Sequence, residues 1–400
     1  MKPINQVFLK LIKAYFHNET VTIQNINIDE IYELALKHNL VPIIYESLRK
    51  NTQYPIPAQF MQTSISQIVG QQQRTEQFLS IYQKLLDANI KPLVLKGLVC
   101  RELYPQSDYR ISSDEDIWIQ PQDFKQCYQI FIDNQYNCTN KQLLNNDDFL
   151  QTVQTINFSN NILTVEVHIN PFGTHDQLHQ KMNSYFKNAF SSAVTMNINH
   201  QIIYTLEPTQ HYLFLIIHLY KHFISAGVGI RQVLDLFIFY QKYQNNIDHK
   251  QLESILKSLK IDQLYLAIIT IGKQYLGFEN LPAIKTIQHI DTLTENLISN
   301  GCFGTHDMTQ AYSSIYTRII TRNENTSVLK TIWQMIFPSV EDLSIRYPIL
   351  QKKPQFYLWF ALKRIFSFIK KIFTGQINIF KIFSIGKKRS NILKDFDVFK

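Results

Sequence analysis

The stretch that most constrains this chain runs from Val94 to Gln120, VLKGLVCRELYPQSDYRISSDEDIWIQ. Val94 and Leu95 close an apolar run, Lys96-Gly97 turn the chain, and Leu98 to Leu103 leave room for a short helix before Pro105. Arg110 then leads into Asp114-Glu115-Asp116, followed at once by the strand-like Ile117-Trp118-Ile119. Alternate side chains of a strand share a face, so Asp114 and Asp116 project together while Glu115 points the other way. Two carboxylates about 7 Å apart on one strand face repel each other unless a cation sits between them. Hard oxygen ligands of this kind suit Mg²⁺ (or Mn²⁺), which usually also takes oxygens from a substrate phosphate. The plainer alternative for three consecutive acids is a solvated loop.

The rest of the chain predicts a sheet wrapped by helices. Residues 3 to 17 and 28 to 50 read as helices, the second opening at Asn27-Ile28-Asp29, which offers capping side chains, and restarting at Pro42. Pro57 to Ala88 is a long helical pattern that Gly70 is expected to interrupt. Lys91 to Leu95 is the first strand, and Gln122 to Asn134 is a helix with Phe124, Cys127, Tyr128 and Phe131 on one side. Residues 141 to 150 are polar and read as a loop. Thr152 to Phe158 and Leu163 to Ile169 are strands joined at Ser159-Asn160-Asn161, and a helix over Gln177 to Phe190 precedes a strand pair over Ala193 to Thr205. From Pro208 the pattern is helical, including Lys250 to Leu259, Asp262 to Tyr275, Asp291 to Ser299 and Ser327 to Ile336. The expected organisation is an N-terminal helical segment (1–56), a mixed α/β core (57–205), a helical domain (206–345) and a basic tail (346–400).

Other residues stand out by chemistry. Glu166 and His168 are two apart on a strand and share a face. Gly97 lets backbone approach a phosphate closely, and the helix start after it favours an anion. Lys96 and Arg110 are candidates for phosphate contact, although Arg110 has a surface alternative in Asp108 or Glu102. His218 and His222 share a helix face, but His-Leu-Tyr-Lys-His lacks the glutamate of a metalloprotease motif. From the residues alone they read as buried histidines satisfied by hydrogen bonds, with a zinc pair as the weaker alternative. Arg231 and Asp235, four apart, read as an intrahelical ion pair.

Taken in order, Leu95-Lys96-Gly97, Tyr104, Arg110, Asp114-x-Asp116 and Val165-Glu166-Val167-His168 resemble the uncharacterised nucleotidyltransferase group of the DNA polymerase beta superfamily. The likeness extends over roughly residues 30 to 240 and takes in His211, His218, His222, Arg231 and Asp235. Two departures are visible: Gly97-Leu98 replaces the usual Gly-Ser, and the third acid is Glu166 where aspartate is more usual. The resemblance implies an α/β (α+β) nucleotidyltransferase-type mixed sheet and transfer of a nucleoside monophosphate from an NTP, ATP first, to a hydroxyl-bearing acceptor. It implies Asp114, Asp116 and Glu166 as metal ligands and catalytic acids. Lys96, Gly97, Arg110, His168, His218 and His222 would face the nucleotide. The alternative is a non-catalytic nucleotide-binding or regulatory protein that keeps the fold.

Composition adds two restrictions. The four cysteines, Cys100, Cys127, Cys138 and Cys302, form neither a close pair nor a zinc spacing, and the first residues lack a signal-peptide pattern, so reduced thiols in the cytoplasm are expected. The net charge of +8 is concentrated: from Gln351 onward twelve Lys and Arg oppose two Asp, a local +10, which leaves the first 350 residues at −2. On a helical wheel Lys352, Lys353, Lys363, Arg364, Lys370 and Lys371 oppose Leu358, Leu362, Ile365, Phe368, Ile369, Ile372 and Phe373. A basic amphipathic segment over residues 352–389 fits a peripheral contact with an anionic membrane surface, docking on the protein's own body, or binding of a phosphate-rich acceptor. Nothing interleaved with it resembles base readout, so nucleic acid is a weaker expectation. Gly375 and Gly386 are expected to limit one continuous helix.

Overall fold

The computed structural model describes residues 1–22, 27–51, 55–138, 153–174, 177–225, 227–282, 289–301, isolated positions between 337 and 347, 349–375 and 378–396. The expected loop at 141–150, the expected helix Ser327 to Ile336 and Cys302 lie outside the described residues.

Four helices lead into the sheet: α1 (Pro3–His17), α2 (Ile28–His38), α3 (Val41–Asn51) and α4 (Ala58–Asp87). Asn27 caps α2 as its side chain predicts, its Oδ1 accepting the amides of Asp29 and Glu30. Helix α4 runs for 30 residues without a break. Gly70 does not interrupt it, because one glycine costs a helix only about 1 kcal/mol and buried side chains on both sides of it hold the helix in place. The helix is tied to the sheet by Tyr82, whose hydroxyl donates to the Pro92 carbonyl (2.8 Å) and accepts from the Tyr204 amide (2.9 Å).

Seven strands form one mixed sheet in the order β3-β4-β5-β2-β1-β7-β6. They are β1 (Leu93–Val94), β2 (Asp114–Trp118), β3 (Asn137–Cys138), β4 (Thr155–Ser159), β5 (Thr164–His168), β6 (Val194–Ile198) and β7 (Gln201–Thr205). The β4–β5 turn is held by Asn160, whose Oδ1 accepts the amides of Ile162 (2.9 Å) and Leu163 (2.8 Å). The β6–β7 hairpin turns through Asn199 and His200, both at positive φ, as a tight two-residue turn requires. Central β2 pairs antiparallel with β1 and parallel with β5, and four of its five residues are buried. Both its faces are therefore covered from Glu115 onward, and Glu115 and Asp116 are removed from bulk water.

Between β1 and β2 lies the short helix α5 (Gly97–Arg101), and α6 (Phe124–Asp133) follows β2. Helices Pro208–Ser225 and Ile230–Tyr243 pack on each other, and the second reaches α5. Buried apolar side chains from Phe8 to Ile298 form one contiguous core, which Ile392 and Phe396 join. The tail forms two helices, Tyr357–Phe373 and Ile379–Asp395, separated at Gly375, whose φ of +71° ends the first. Gly386 lies inside the second helix and does not limit it. No helix among the described residues is long and apolar enough to cross a membrane.

Candidate active site

The register of β2 against β5 builds the site. Asp116 lies directly opposite Glu166, Asp114 opposite Thr164, and Trp118 opposite His168. Because strand side chains alternate, Asp114, Asp116, Glu166 and His168 all project from one face. Ligand atoms of Asp116, Glu166 and His168 lie within 4.8 Å of one another, close enough to hold one metal ion. Asp116 is 1% exposed. Its Oδ1 is 3.1 Å from His168 Nε2 and its Oδ2 is 3.2 Å from the Lys96 ammonium. Asp114, at the start of β2, is half-exposed and accepts from the Ser113 hydroxyl at 3.1 Å.

The electrostatics are those of a cation-seeking cluster. Burial raises the pKa of Glu166, the carboxylates of Asp116 and Asp114 raise it further, and Lys96 only partly offsets them, so it stands near 7. Burial also opposes ionisation of Asp116, but Lys96 and His168 outweigh it and hold that carboxyl well below the usual range. Burial disfavours the Lys96 ammonium, yet Asp116, Asp114 and Glu166 together raise its pKa. One amine thus serves three acids. The residues fit a divalent cation on this ground: Asp116 Oδ2 is buried, and the contact it has is with a cation and not a neutral hydrogen-bond donor.

Histidines extend the cluster. His218 Nε2 is 3.1 Å from Lys96 Nζ and 3.2 Å from His222 Nε2. Burial, then the charge of Lys96, lowers the pKa of both, that of His222 to about 3, so both rings are neutral near pH 7. The arrangement gathers Lys96, His168, His218 and His222 with the acids. His211 stands apart: buried, its Nδ1 within 3.1 Å of Thr205 Oγ1, it braces the end of β7.

Glu115, the residue on the opposite face of β2, was not singled out by sequence. It is 1% exposed, pairs with buried Arg101, and accepts the Leu98 amide at 2.7 Å. Arg101 also donates to Thr75 (2.9 Å) and Ser112 (2.7 Å). A Cβ on Gly97 would lie 2.0 Å from Glu115 Oε2. Gly97 is therefore required by the carboxylate packed behind the turn, and the anion at the start of α5 is the protein's own. This brace fixes the Lys96-Gly97 turn against the strand that carries the acids.

Arg110 has neither surface partner. It is buried and grips Asp235 with two bonds, 2.7 Å from Nε and 2.8 Å from Nη2, while Tyr104 donates to Asp235 Oδ1 at 2.8 Å. Arg231 does not form the expected intrahelical pair with Asp235; it donates to the Ile111 carbonyl. The competing partner wins because Arg110 offers Asp235 a planar two-point fit. Asp235 thereby anchors the loop before β2 to the helix Ile230–Tyr243. Arg110 Nη1 and Arg231 Nε are buried without hydrogen-bond partners, and both residues line a cleft with Lys96, Gly97, Asp114, Asp116 and His218. A larger cavity of about 240 Å³ lies elsewhere, beside Gly277 and Phe278, and its His17 already contacts the Leu276 carbonyl at 2.8 Å.

A mixed sheet presenting paired acids beside a basic, glycine-turned cleft defines a nucleotidyltransferase-type fold. The chain belongs to an uncharacterised nucleotidyltransferase family, whose model matches residues 24–277. That span contains every residue of the cluster. No curated protein and no solved structure matches the chain.

Proposed function

We propose that this chain is a divalent-metal-dependent nucleotidyltransferase, acting in the cytoplasm, that moves a nucleoside monophosphate from an NTP to a hydroxyl-bearing acceptor. The observation that carries the reading is the β2–β5 register, which sets Asp116 against Glu166 beneath Lys96. Asp114, Asp116 and Glu166 would hold Mg²⁺ or Mn²⁺, with His168 beside them. When bound, such a cation neutralises charge on the transferred phosphate and on the leaving pyrophosphate. Lys96, placed among the acids, and the free donor edges of Arg110 and Arg231 give the cleft the positive charge a triphosphate needs. Glu166, directly opposite Asp116, serves either as the third ligand or as the base that takes a proton from the acceptor hydroxyl. ATP is the first donor to test. The acceptor classes compatible with the reading are a biosynthetic small molecule, a glycan, an RNA or a protein.

One observation favours a non-catalytic nucleotide binder. Leu98 stands where the superfamily usually carries serine, and its amide is occupied by Glu115. Release of pyrophosphate from each of the four NTPs, in the presence of a metabolite and macromolecule extract, separates the two readings. Catalysis predicts metal-dependent release that an Asp114→Asn, Asp116→Asn variant lacks. Nucleotide binding without release for any NTP would establish the regulatory reading instead.

A further inference from the structure

The tail helix Tyr357–Phe373 is apolar on two adjoining sides, and the structure uses them differently. Ala361 is fully buried, and Ile365, Phe368 and Ile372, which fall on the same side at 100° per residue, are half-buried. Phe360 stacks on Tyr347 with ring centroids 4.3 Å apart. That side is thus covered, and Phe360, about 100° round the helix from Ala361, meets Tyr347 on a separate face. The second stripe, Leu358, Trp359, Leu362, Phe366, Ile369 and Phe373, spans about 100° of the helix surface. It is open to solvent: Leu358 is 66% exposed, Trp359 67%, Phe366 69% and Phe373 88%. Six large apolar side chains in a row of about 22 Å are more than the scattered exposure of an ordinary surface.

We infer that this stripe is a docking surface for an anionic lipid bilayer, with the helix lying in the plane of the interface. Charge selects that occupant. Exposed Lys363 and Lys370 flank the stripe on its polar side, and the segment from Gln351 onward carries a net +10. Lysines beside an apolar face buried to headgroup depth is the pattern that anionic interfaces bind. A second copy of the chain fits less well, because a two-fold contact across the stripe would set these lysines against their own counterparts. Single-stranded nucleic acid fits less well too, because Leu358, Leu362 and Ile369 offer no ring for a base to stack on. The last helix makes the arrangement stable: Ile392 and Phe396 are buried in the main core and hold the tail to the body. The site would then work on acceptors presented at, or close to, a membrane. The docking surface itself is independent of the catalytic reading.

The test uses the full chain with vesicles of phosphatidylcholine alone and of phosphatidylcholine mixed with an equal part of phosphatidylglycerol. The expected result is co-sedimentation with the anionic vesicles, weakened by salt. A blue shift of tryptophan emission should accompany it and vanish in Trp359→Phe. The Phe366→Ser, Phe373→Ser variant should bind roughly tenfold more weakly or worse, with its thermal unfolding unchanged because both side chains are exposed. Equal binding to neutral and anionic vesicles, or none to either, overturns the proposal. So does a dimer in light scattering that Phe366→Ser, Phe373→Ser dissociates, since a second copy would then cover the stripe. A Trp359 emission already blue without lipid overturns it as well, by showing that the chain covers the stripe itself.

Discussion

Glu166 and Asp116 face each other across two strands and are pushed in opposite directions, one toward protonation near neutral pH and one away from it. This has a measurable sign. The folded-state pKa of Glu166 lies above its unfolded value, so between about pH 4.5 and 7 the native state binds the extra proton and loses stability as pH rises. His222 has the opposite sign, its depressed pKa costing stability as pH falls below about 6.5. Wild type and Glu166→Gln should therefore be compared directly. Without divalent cations, the melting temperature of the variant should gain on wild type as pH rises through that window. Added Mg²⁺ or Mn²⁺ should restore wild type selectively at the upper end. Behind the site, Glu115→Gln leaves Arg101 buried without its charge partner and should cost about 3–5 kcal/mol in urea unfolding. Gly97→Ala, which drives a methyl into Glu115, should cost about 1–3 kcal/mol and weaken nucleotide binding through the displaced Lys96 turn.

At the scale of elements, the helix Ile230–Tyr243 and the loop before β2 are joined by Arg110, Tyr104 and Asp235. A double-mutant cycle on Arg110→Met and Asp235→Leu should show a coupling of at least about 1.5 kcal/mol, with the double variant more stable than either single one. Additive losses would mean that the pair does not hold these elements together. This is also where sequence reading reached its limit. It placed both site strands, the Asp114/Asp116 face and the Glu166/His168 face, because two-residue alternation is local. It found the capping Asn27, the β4–β5 turn and the strand pair within Ala193 to Thr205 for the same reason. It misplaced the partner of Arg110, which is 125 residues away, and offered the near neighbours Asp108 and Glu102 instead. It passed over Glu115 because a carboxylate between two others looks solvated until Arg101 is seen, fully buried, against it. Gly70 looked like a break because helix propensity penalises glycine, but it is one position in a helix anchored along its length by tertiary packing.

At the scale of the whole molecule, a nearly neutral body carries the acids and a strongly basic tail carries the exposed apolar stripe. The tail is not an appendage, since Ile392 and Phe396 are buried in the main core. Truncation before Ile379 should lower the melting temperature, each lost core side chain being worth about 1.5–3 kcal/mol. Substitutions confined to the exposed stripe should stay within about 0.5 kcal/mol of wild type. Everything about the chemistry, however, rests on the register of β2 and β5 and the cation it calls for. Calorimetric titration of ATP into the protein, with and without Mg²⁺ or Mn²⁺, for wild type and Asp116→Asn, reads that claim most directly. The account predicts binding that requires the metal in wild type and loses that requirement, and most of its affinity, in a variant whose fold is intact. Binding of equal strength with and without metal, unchanged in Asp116→Asn, would contradict it.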